Sequence, residues 1–325
     1  MRAVEVAETG GPEVLTLVDR VQPRPGPGQV LIRTEAIGVN FIDTYFRSGL
    51  YPAELPFIVG GEAAGIVTEV GPGVSGLAVG DRVASAAATG AYAQYCTAPA
   101  ALTALIAPGV EFDIAAAALL KGLTAHYLIT SVYRVQRGDT VLLHAGAGGV
   151  GLILTQWATA LGARVITTVS NPAKAELSRQ AGAVEVLDYP GHCADEFASR
   201  IKALTDGAGV AAVYDGVGAS TFDASLASLA VRGTLALFGA ASGPVAPVDP
   251  QRLNAAGSVY LTRPTLAHFI RDATEFTWRA SELFKAIENT TIRVTVSRRY
   301  PLADAAQAHR DLQGRQTVGS IVLVA

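Results

Sequence analysis

Cysteine, methionine, tryptophan and charge are all scarce in this chain. It has two Cys, one Met and two Trp, and only 16% of its 325 residues are charged. Cys96 and Cys193 form neither a CxxC pair nor a disulfide framework, so they read as reduced intracellular thiols. His192 beside Cys193 is adjacency without metal-ligand spacing. No run of Lys and Arg stands out and the net charge is −3, so nothing recruits nucleic acid or an acidic membrane face. The N-terminal stretch carries Glu5 where a signal peptide needs apolar residues. No apolar run approaches the roughly 18 residues of a membrane helix. The longest, Ile114 to Leu120, is stopped by Lys121. A cytoplasmic protein is expected. The histidines, His126, His144, His192, His268 and His309, form no HxxxH and no triad with a nucleophile, which leaves hydrolase chemistry without support.

Apolar residues and glycine are plentiful: 50% of the chain is hydrophobic, and it contains 34 Gly. At roughly 100–200 residues per domain the length suggests two domains, and the composition suits an α/β protein with buried parallel strands. The first hundred or so residues read as β-rich. Val30 to Thr34 and Ala64 to Val70 are apolar or alternating runs bounded by turn clusters, Pro23 to Gly28 and Gly71 to Gly73. Gly80-Asp81 before Arg82 to Ala84 looks like a hairpin return. Farther on the rhythm changes. Strands are expected at Thr140 to His144, Arg164 to Val169, Val184 to Leu187, Val210 to Tyr214 and Thr234 to Phe238. Helices are expected at Val150 to Leu161 and Lys174 to Ala181. That alternation predicts a doubly wound parallel sheet. The closing segment, with a helix at Arg279 to Ile287 and a strand at Ser320 to Val324, returns to mixed character. Periodicity leaves open whether it rejoins the front of the chain.

Gly146-Ala147-Gly148-Gly149-Val150-Gly151 matches GxGxxG. The pattern is weak alone, but here it follows an expected strand and opens an expected helix. Gly146 is expected to permit the tight turn, Gly148 to let a pyrophosphate approach the backbone, and Gly151 to let helix pack on strand. A purely structural glycine turn is the alternative. A site for NAD needs a carboxylate about 20 residues on, to hold the ribose hydroxyls. Thr167-Thr168-Val169-Ser170-Asn171 offers none, and Lys174 follows one helical turn later, which favours NADP. Lys174 is also readable as an ordinary solvated helix lysine.

Longer stretches carry a resemblance: Gly10 to Leu15, Gly38 to Tyr45, Arg47 to Pro52, Lys121 to Ala125, His144 to Gly151 and Tyr260 to Pro264. On them the chain resembles, nearly end to end, the quinone oxidoreductase (zeta-crystallin-like) group of the medium-chain dehydrogenase/reductase superfamily. The resemblance implies a Rossmann domain at 121–262 set into a GroES-like catalytic domain formed by 1–120 and 263–325. It implies NADPH-dependent reduction of a quinone. It also implies a homodimer, paired through the strand read at Ser258 to Leu261. Zinc alcohol dehydrogenases place a cysteine ligand where this chain has Asn40, and a histidine where it has Gly61 before Glu62. They also carry a four-cysteine zinc loop for which this chain has too few cysteines, so no metal is expected.

By the same resemblance Asn40, Tyr45 and Tyr51 line the nicotinamide and substrate cleft, with Thr124 near the nicotinamide. Asn40, Tyr45 or Tyr51 would donate to the developing oxygen anion. Ser170, Lys174 and Tyr189 surround the adenosine phosphate, and Phe238, Gly239 and Ser242 touch the cofactor with Gly146, Gly148, Gly149, Val150 and Gly151. Arg263 and Arg315 are cofactor or substrate contacts, or else surface ion-pair residues. Read alone, Asn40 suits a turn and the tyrosines suit a core with a satisfied hydroxyl. Two rival functions stay open: reduction of an activated C=C bond in an enone or enoyl compound, and a structural or RNA-binding role. The net charge counts against RNA.

Overall fold

The structure, a computed structural model, describes residues 1–191 and 193–325. Strands β1 (Arg2–Val6), β2 (Leu15–Asp19) and β3 (Gln29–Gly38) lead to helix α1 (Phe41–Arg47). Then come β4 (Phe57–Ile58), β5 (Ala63–Val70), β6 (Arg82–Ser85), β7 (Tyr95–Pro99), β8 (Thr103–Leu105) and α2 (Phe112–Tyr127). The alternating part begins with β9 (Thr140–His144), α3 (Gly149–Ala160), β10 (Arg164–Val169), α4 (Pro172–Gln180) and β11 (Glu185–Asp188). It continues with α5 (Ala194–Ala203), β12 (Val210–Asp215), α6 (Phe222–Ala227) and β13 (Leu229–Leu237), and ends with α7 (Pro250–Ala255), β14 (Tyr260–Thr262) and α8 (Leu266–Phe269). The chain closes with α9 (Ala273–Glu288), β15 (Val296–Pro301), α10 (Ala305–Gln313) and β16 (Ser320–Val324). These elements form two units, one of Met1–Leu123 with Ile270–Ala325 and one of Thr124–Phe269.

In the first unit, β2-β1-β4 form a small sheet, and β15-β16-β3-β5-β6-β8 form a larger one in which β7 also pairs with β3. The tail therefore does rejoin the front: β16 lies antiparallel to β3 with Val322 opposite Gly38, and the Val39 N–H donates to the Ile321 carbonyl at 3.2 Å. The last strand thus braces the chain where it turns into α1. The core between the sheets is built from side chains such as Val4, Val30, Ile32, Ile37, Val67 and Leu323.

The second unit holds six parallel strands in the order β11-β10-β9-β12-β13-β14. This is the doubly wound Rossmann order, reversing between β9 and β12. Buried parallel strands read as continuous apolar runs, and Val141, Leu142 and Leu143 are all fully buried.

Three local expectations change. β13 starts earlier than expected, at Leu229, and passes through exposed Val231 and a left-handed Arg232 at φ 62°. The late strand loses Ser258, which sits at φ 56°, and begins at Tyr260. The apolar run is not stopped at Lys121. One helix from Phe112 to Val132, 21 residues, is long and apolar enough to cross a membrane, although most of its apolar stretch is buried inside the protein. Lys121 continues the helix because its ammonium is paired with buried Glu62 at 3.4 Å.

Close strand pairing gives one glycine a strict role. Gly65 of β5 lies against β3 so tightly that a Cβ would overlap the Arg33 carbonyl oxygen, whereas at Gly61 the nearest atom to a Cβ is 4.0 Å away. Urea unfolding should show Gly65→Ala destabilised by about 1–3 kcal/mol, and Gly61→Ala within about 0.5 kcal/mol of wild type.

Candidate active site

Parallel pairing brings one end of every strand of the second unit to a common edge. Thr168 is opposite His144, Val169 opposite Asp188, and Asp215 opposite Leu237. Most of the residues singled out in this unit follow directly: Ser170 after β10, Tyr189 after β11, Phe238, Gly239 and Ser242 after β13, and Arg263 after β14. Ligands of open parallel sheets bind outside these carboxyl ends, at the point where strand order reverses. Thr124 lies apart from that edge in the sequence of elements, buried in α2.

The glycine-rich loop runs from the end of β9 into α3, whose N-cap is Gly148. Its unpaired N–H groups and positive dipole end suit a phosphate. The left-handed turn falls on Ala145 at φ 59°, not on Gly146 as expected. Gly146 is needed for a different reason: a Cβ there would lie 2.5 Å from Thr167 Cβ and 2.8 Å from Ser178 Oγ. Gly151 packs on the loop's own backbone, where a Cβ would overlap the Ala145 carbonyl oxygen. Gly148 has a neighbour at 3.2 Å and is the more open of the three. Gly149 and Val150 are half-buried at the start of α3.

After β10, Asn171 caps α4 by accepting from the Lys174 N–H at 2.9 Å. That helix has no acidic residue in its first turn, where Lys174 sits half-buried. Ser170 is exposed beside it. Phe238 shields Gly216, and Gly239 approaches the Gly216 backbone so closely that neither glycine has room for a Cβ. The Ser242 hydroxyl donates to the Val217 carbonyl and accepts from the Ser220 N–H, so it ties two loops together. Arg263 is exposed, with Nη1 3.4 Å from the Pro264 carbonyl.

Beneath this edge runs a buried polar chain that no motif indicated. Asp215 accepts from Val217 N–H, Gly218 N–H, Thr221 and Ser225. Ser225 gives its proton to Asp215, so His144 Nε2–H must donate to Ser225 at 2.9 Å, and His144 Nδ1 accepts from Thr168 at 2.8 Å. Burial holds the imidazole below its ordinary range, against the raising influence of Asp215. His144 is stacked on Tyr189 at 6.3 Å between ring centres. Serine stands between histidine and carboxylate here, the wrong order for a hydrolytic triad.

In the first unit, Asn40 is the N-cap of α1, Tyr45 lies buried within α1, and Tyr51 follows it. The rings of Tyr45 and Tyr51 meet edge to face at 5.3 Å, and the Tyr51 N–H donates to the Tyr45 carbonyl. Asn40 Nδ2 donates to Glu62 Oε2 at 2.8 Å and approaches the Gly38 carbonyl at 3.4 Å. The amide nitrogen is thus committed to protein partners, and Asn40 does not suit the donor role expected of it. Fully buried Glu62 also accepts from the Leu120 N–H and the Lys121 ammonium. Arg315 stands on the turn after α10, exposed, at φ 57°.

Two family models match the chain: an alcohol dehydrogenase GroES-like domain over residues 26–109, and a zinc-binding dehydrogenase over residues 149–285. A quinone oxidoreductase of Pseudomonas aeruginosa is 47% identical over 99% of both chains. The chain belongs to the quinone oxidoreductase family of the medium-chain dehydrogenase/reductase superfamily. A 2-haloacrylate reductase of a Burkholderia species is 41% identical over 99% of this chain and 98% of its own. A mycobacterial protein solved in complex with NADPH is 69% identical over the whole of both chains, with a TM-score of 0.99.

A zinc ion implied by the second family model does not fit the donors present. Asn40 and Gly61 replace thiolate and imidazole, and Glu62 is already neutralised by Lys121 and two N–H donors. Among the described residues no three His, Cys, Asp or Glu side chains cluster to hold a metal. His192 lies outside the described residues. Cys96 is free and buried, with its thiol pushed up to about 12 by burial, and Cys193 is free and exposed.

Two groups of the first unit set opposing pH dependences. Burial pushes the Asp43 carboxyl from 3.8 up to about 7, outweighing hydrogen bonds from the Asn40 N–H and Tyr92. Folded Asp43 keeps a proton that the unfolded chain loses, so its contribution to stability falls as pH rises across that window. Burial, then Arg47, lowers His309 from 6.5 to about 3. Folded His309 refuses a proton that the unfolded chain binds, so its contribution rises with pH across its window. Each gives a slope of up to about 1.4 kcal/mol per pH unit. Chemical unfolding between pH 4 and pH 7 should show Asp43→Asn gaining stability with pH relative to wild type, and His309→Gln losing it. Parallel profiles in all three proteins would contradict the assignment.

Proposed function

We propose that this protein is an NADPH-dependent quinone oxidoreductase that works without zinc. The observation that carries the reading is end-to-end similarity to quinone oxidoreductases, one of them 47% identical, together with a first turn of α4, just after β10, that has no acidic residue and carries Lys174. When bound, NADPH supplies the hydride. The N-terminus of α3 holds the pyrophosphate, and Ser170, Lys174 and Tyr189 take the adenosine phosphate. Phe238 and Gly239 shape the loop beside them, and Arg263 and Arg315 are further contacts. Tyr45 and Tyr51 are the donors to the oxygen that gains charge, and Thr124 contributes at the nicotinamide. Asn40 lines the cleft beside them, its Nδ2 held by Glu62.

A reduced quinone leaves as a phenolate-like anion whose conjugate acid has a pKa of about 10, as for tyrosine. Donors that stabilise it are enough, and an obligatory acid is not needed. A second reading, reduction of an activated C=C bond, is favoured by the 41% identical 2-haloacrylate reductase. The enolate it forms is more basic and depends more on a donor. The purified chain should oxidise NADPH with a 1,4-quinone, and EDTA should leave the rate unchanged. Tyr51→Phe should lower kcat/KM for the quinone by less than the roughly 10²–10⁴-fold typical of losing a general acid, and by more for an enone. No NADPH oxidation with any quinone would overturn the reading.

Lys174→Ala should weaken NADPH by roughly tenfold to a hundredfold, as for a charge-assisted contact of about 1.5–3 kcal/mol, and leave NADH nearly unchanged. Equal losses for both cofactors would remove Lys174 from the phosphate site.

We place the protein in the cytoplasm, where two free thiols stay reduced, and read it as a homodimer. β14 is the edge strand of the six-stranded sheet, with Tyr260 58% exposed. An open apolar edge is satisfied when a second copy pairs with it. Light scattering at micromolar concentration should give twice the 33.5 kDa of one chain. A monomer mass would refute the dimer.

A further inference from the structure

The polar core of the first unit contains a closed ring that the reduction chemistry does not use. Asp43 and Arg47 are four residues apart, on the same face of α1. They are joined through two side chains from elsewhere. Tyr92 OH lies 3.0 Å from Asp43 Oδ2 and 3.0 Å from His309 Nε2. His309 Nδ1 lies 3.1 Å from Arg47 Nη1. All four side chains are buried. Gly60, at φ 100°, lies so close to the Tyr92 ring that a Cβ would overlap it.

The direction of every bond in the ring is determined. A guanidinium only donates, so His309 Nδ1 must accept, and the neutral imidazole carries its proton on Nε2. Nε2–H then donates to the Tyr92 oxygen, and the Tyr92 hydroxyl donates to Asp43. The same Asp43 oxygen accepts the Asn40 N–H at 2.8 Å. Arg47 Nε donates to the Gly10 carbonyl, and the Gly10 N–H donates to the Arg47 carbonyl, which ties in the N-terminal loop. Tyr45 lies between Asp43 and Arg47 in sequence, on the opposite face of the helix.

We propose that His309, through this one-way ring, is a positioning residue for the reduction: it sets the rotation of α1, and so the placement of Asn40 and Tyr45. The proposal rests on the active-site reading above. His309 stands on α10, far along the chain, and is fully buried, so it acts through α1.

Glutamine supplies one acceptor and one donor and can replace His309 in the ring, whereas leucine supplies neither. In the full-length protein, His309→Leu and Tyr92→Phe should lower kcat/KM for a 1,4-quinone roughly tenfold to a hundredfold, with NADPH affinity within about twofold of wild type. His309→Gln should recover to within about threefold. A purely structural role predicts that activity per folded molecule is unchanged in all three, and that result would overturn the proposal, as would a glutamine variant as impaired as the leucine one. Two measurements do not depend on turnover. Nitrogen NMR of the wild type should show His309 as the Nε2–H tautomer, unprotonated at neutral pH, and amide exchange at Asn40 should quicken in Tyr92→Phe but not in His309→Gln. The opposite tautomer, or unchanged exchange, sinks the ring even if the variants are poorly folded. If both hold while wild type reduces no quinone, it is the proposed function that fails.

Discussion

Two carboxyl groups taken out of water, Asp43 and Glu62, govern the first unit. A buried polar or charged group left without partners costs free energy, so each gathers donors, and burial also lets Asp43 keep its proton up to about pH 7. Asp43 takes the Asn40 N–H and the Tyr92 hydroxyl, while Glu62 takes the Asn40 amide, the Leu120 N–H and the Lys121 ammonium. Between them they hold Asn40 by backbone and by side chain. They also tie α1 to the loop before β7 and to α2, elements whose local sequences show no such dependence.

The second unit solves a different problem with the opposite material. Its strands are mostly apolar and β9 is buried from Val141 onward, so the functional groups stand at strand ends and on the loops that follow. Parallel register then aligns those ends. Glycine provides close backbone approach at Gly146, Gly151 and Gly239, where a side chain would strike a neighbouring strand, helix or loop. The buried His144–Ser225–Asp215 chain stiffens the same edge from beneath, because all its donors and acceptors are satisfied in one arrangement.

Replacing metal ligands has a structural consequence as well as a chemical one. In this chain the position of a ligand thiolate carries an amide that donates to Glu62, and a lysine ammonium supplies the positive charge beside that carboxylate. The reduction of a quinone suits this exchange. Its product anion is weakly basic, so oriented hydroxyls can stabilise it without a Lewis acid.

Local pattern was enough for the doubly wound sheet, the loop at Gly146 to Gly151 and the acid-free end of β10. Each is written in consecutive residues, through apolar runs, turn residues and the absence of a carboxylate. Boundaries and conformations were less legible where neighbours override them. Ala145 rather than Gly146 takes the left-handed turn, and the helix passes through Lys121 because Glu62, 59 residues earlier in the chain, neutralises it. The return of the tail beside β3, the commitment of the Asn40 amide to Glu62 and the ring through Tyr92 and His309 belong to tertiary structure alone. Their partners are separated by up to 284 residues, from Gly38 to Val322. A hydrogen bond at such a distance leaves no periodicity or spacing in the sequence, and exists only once burial has removed water as the competing partner.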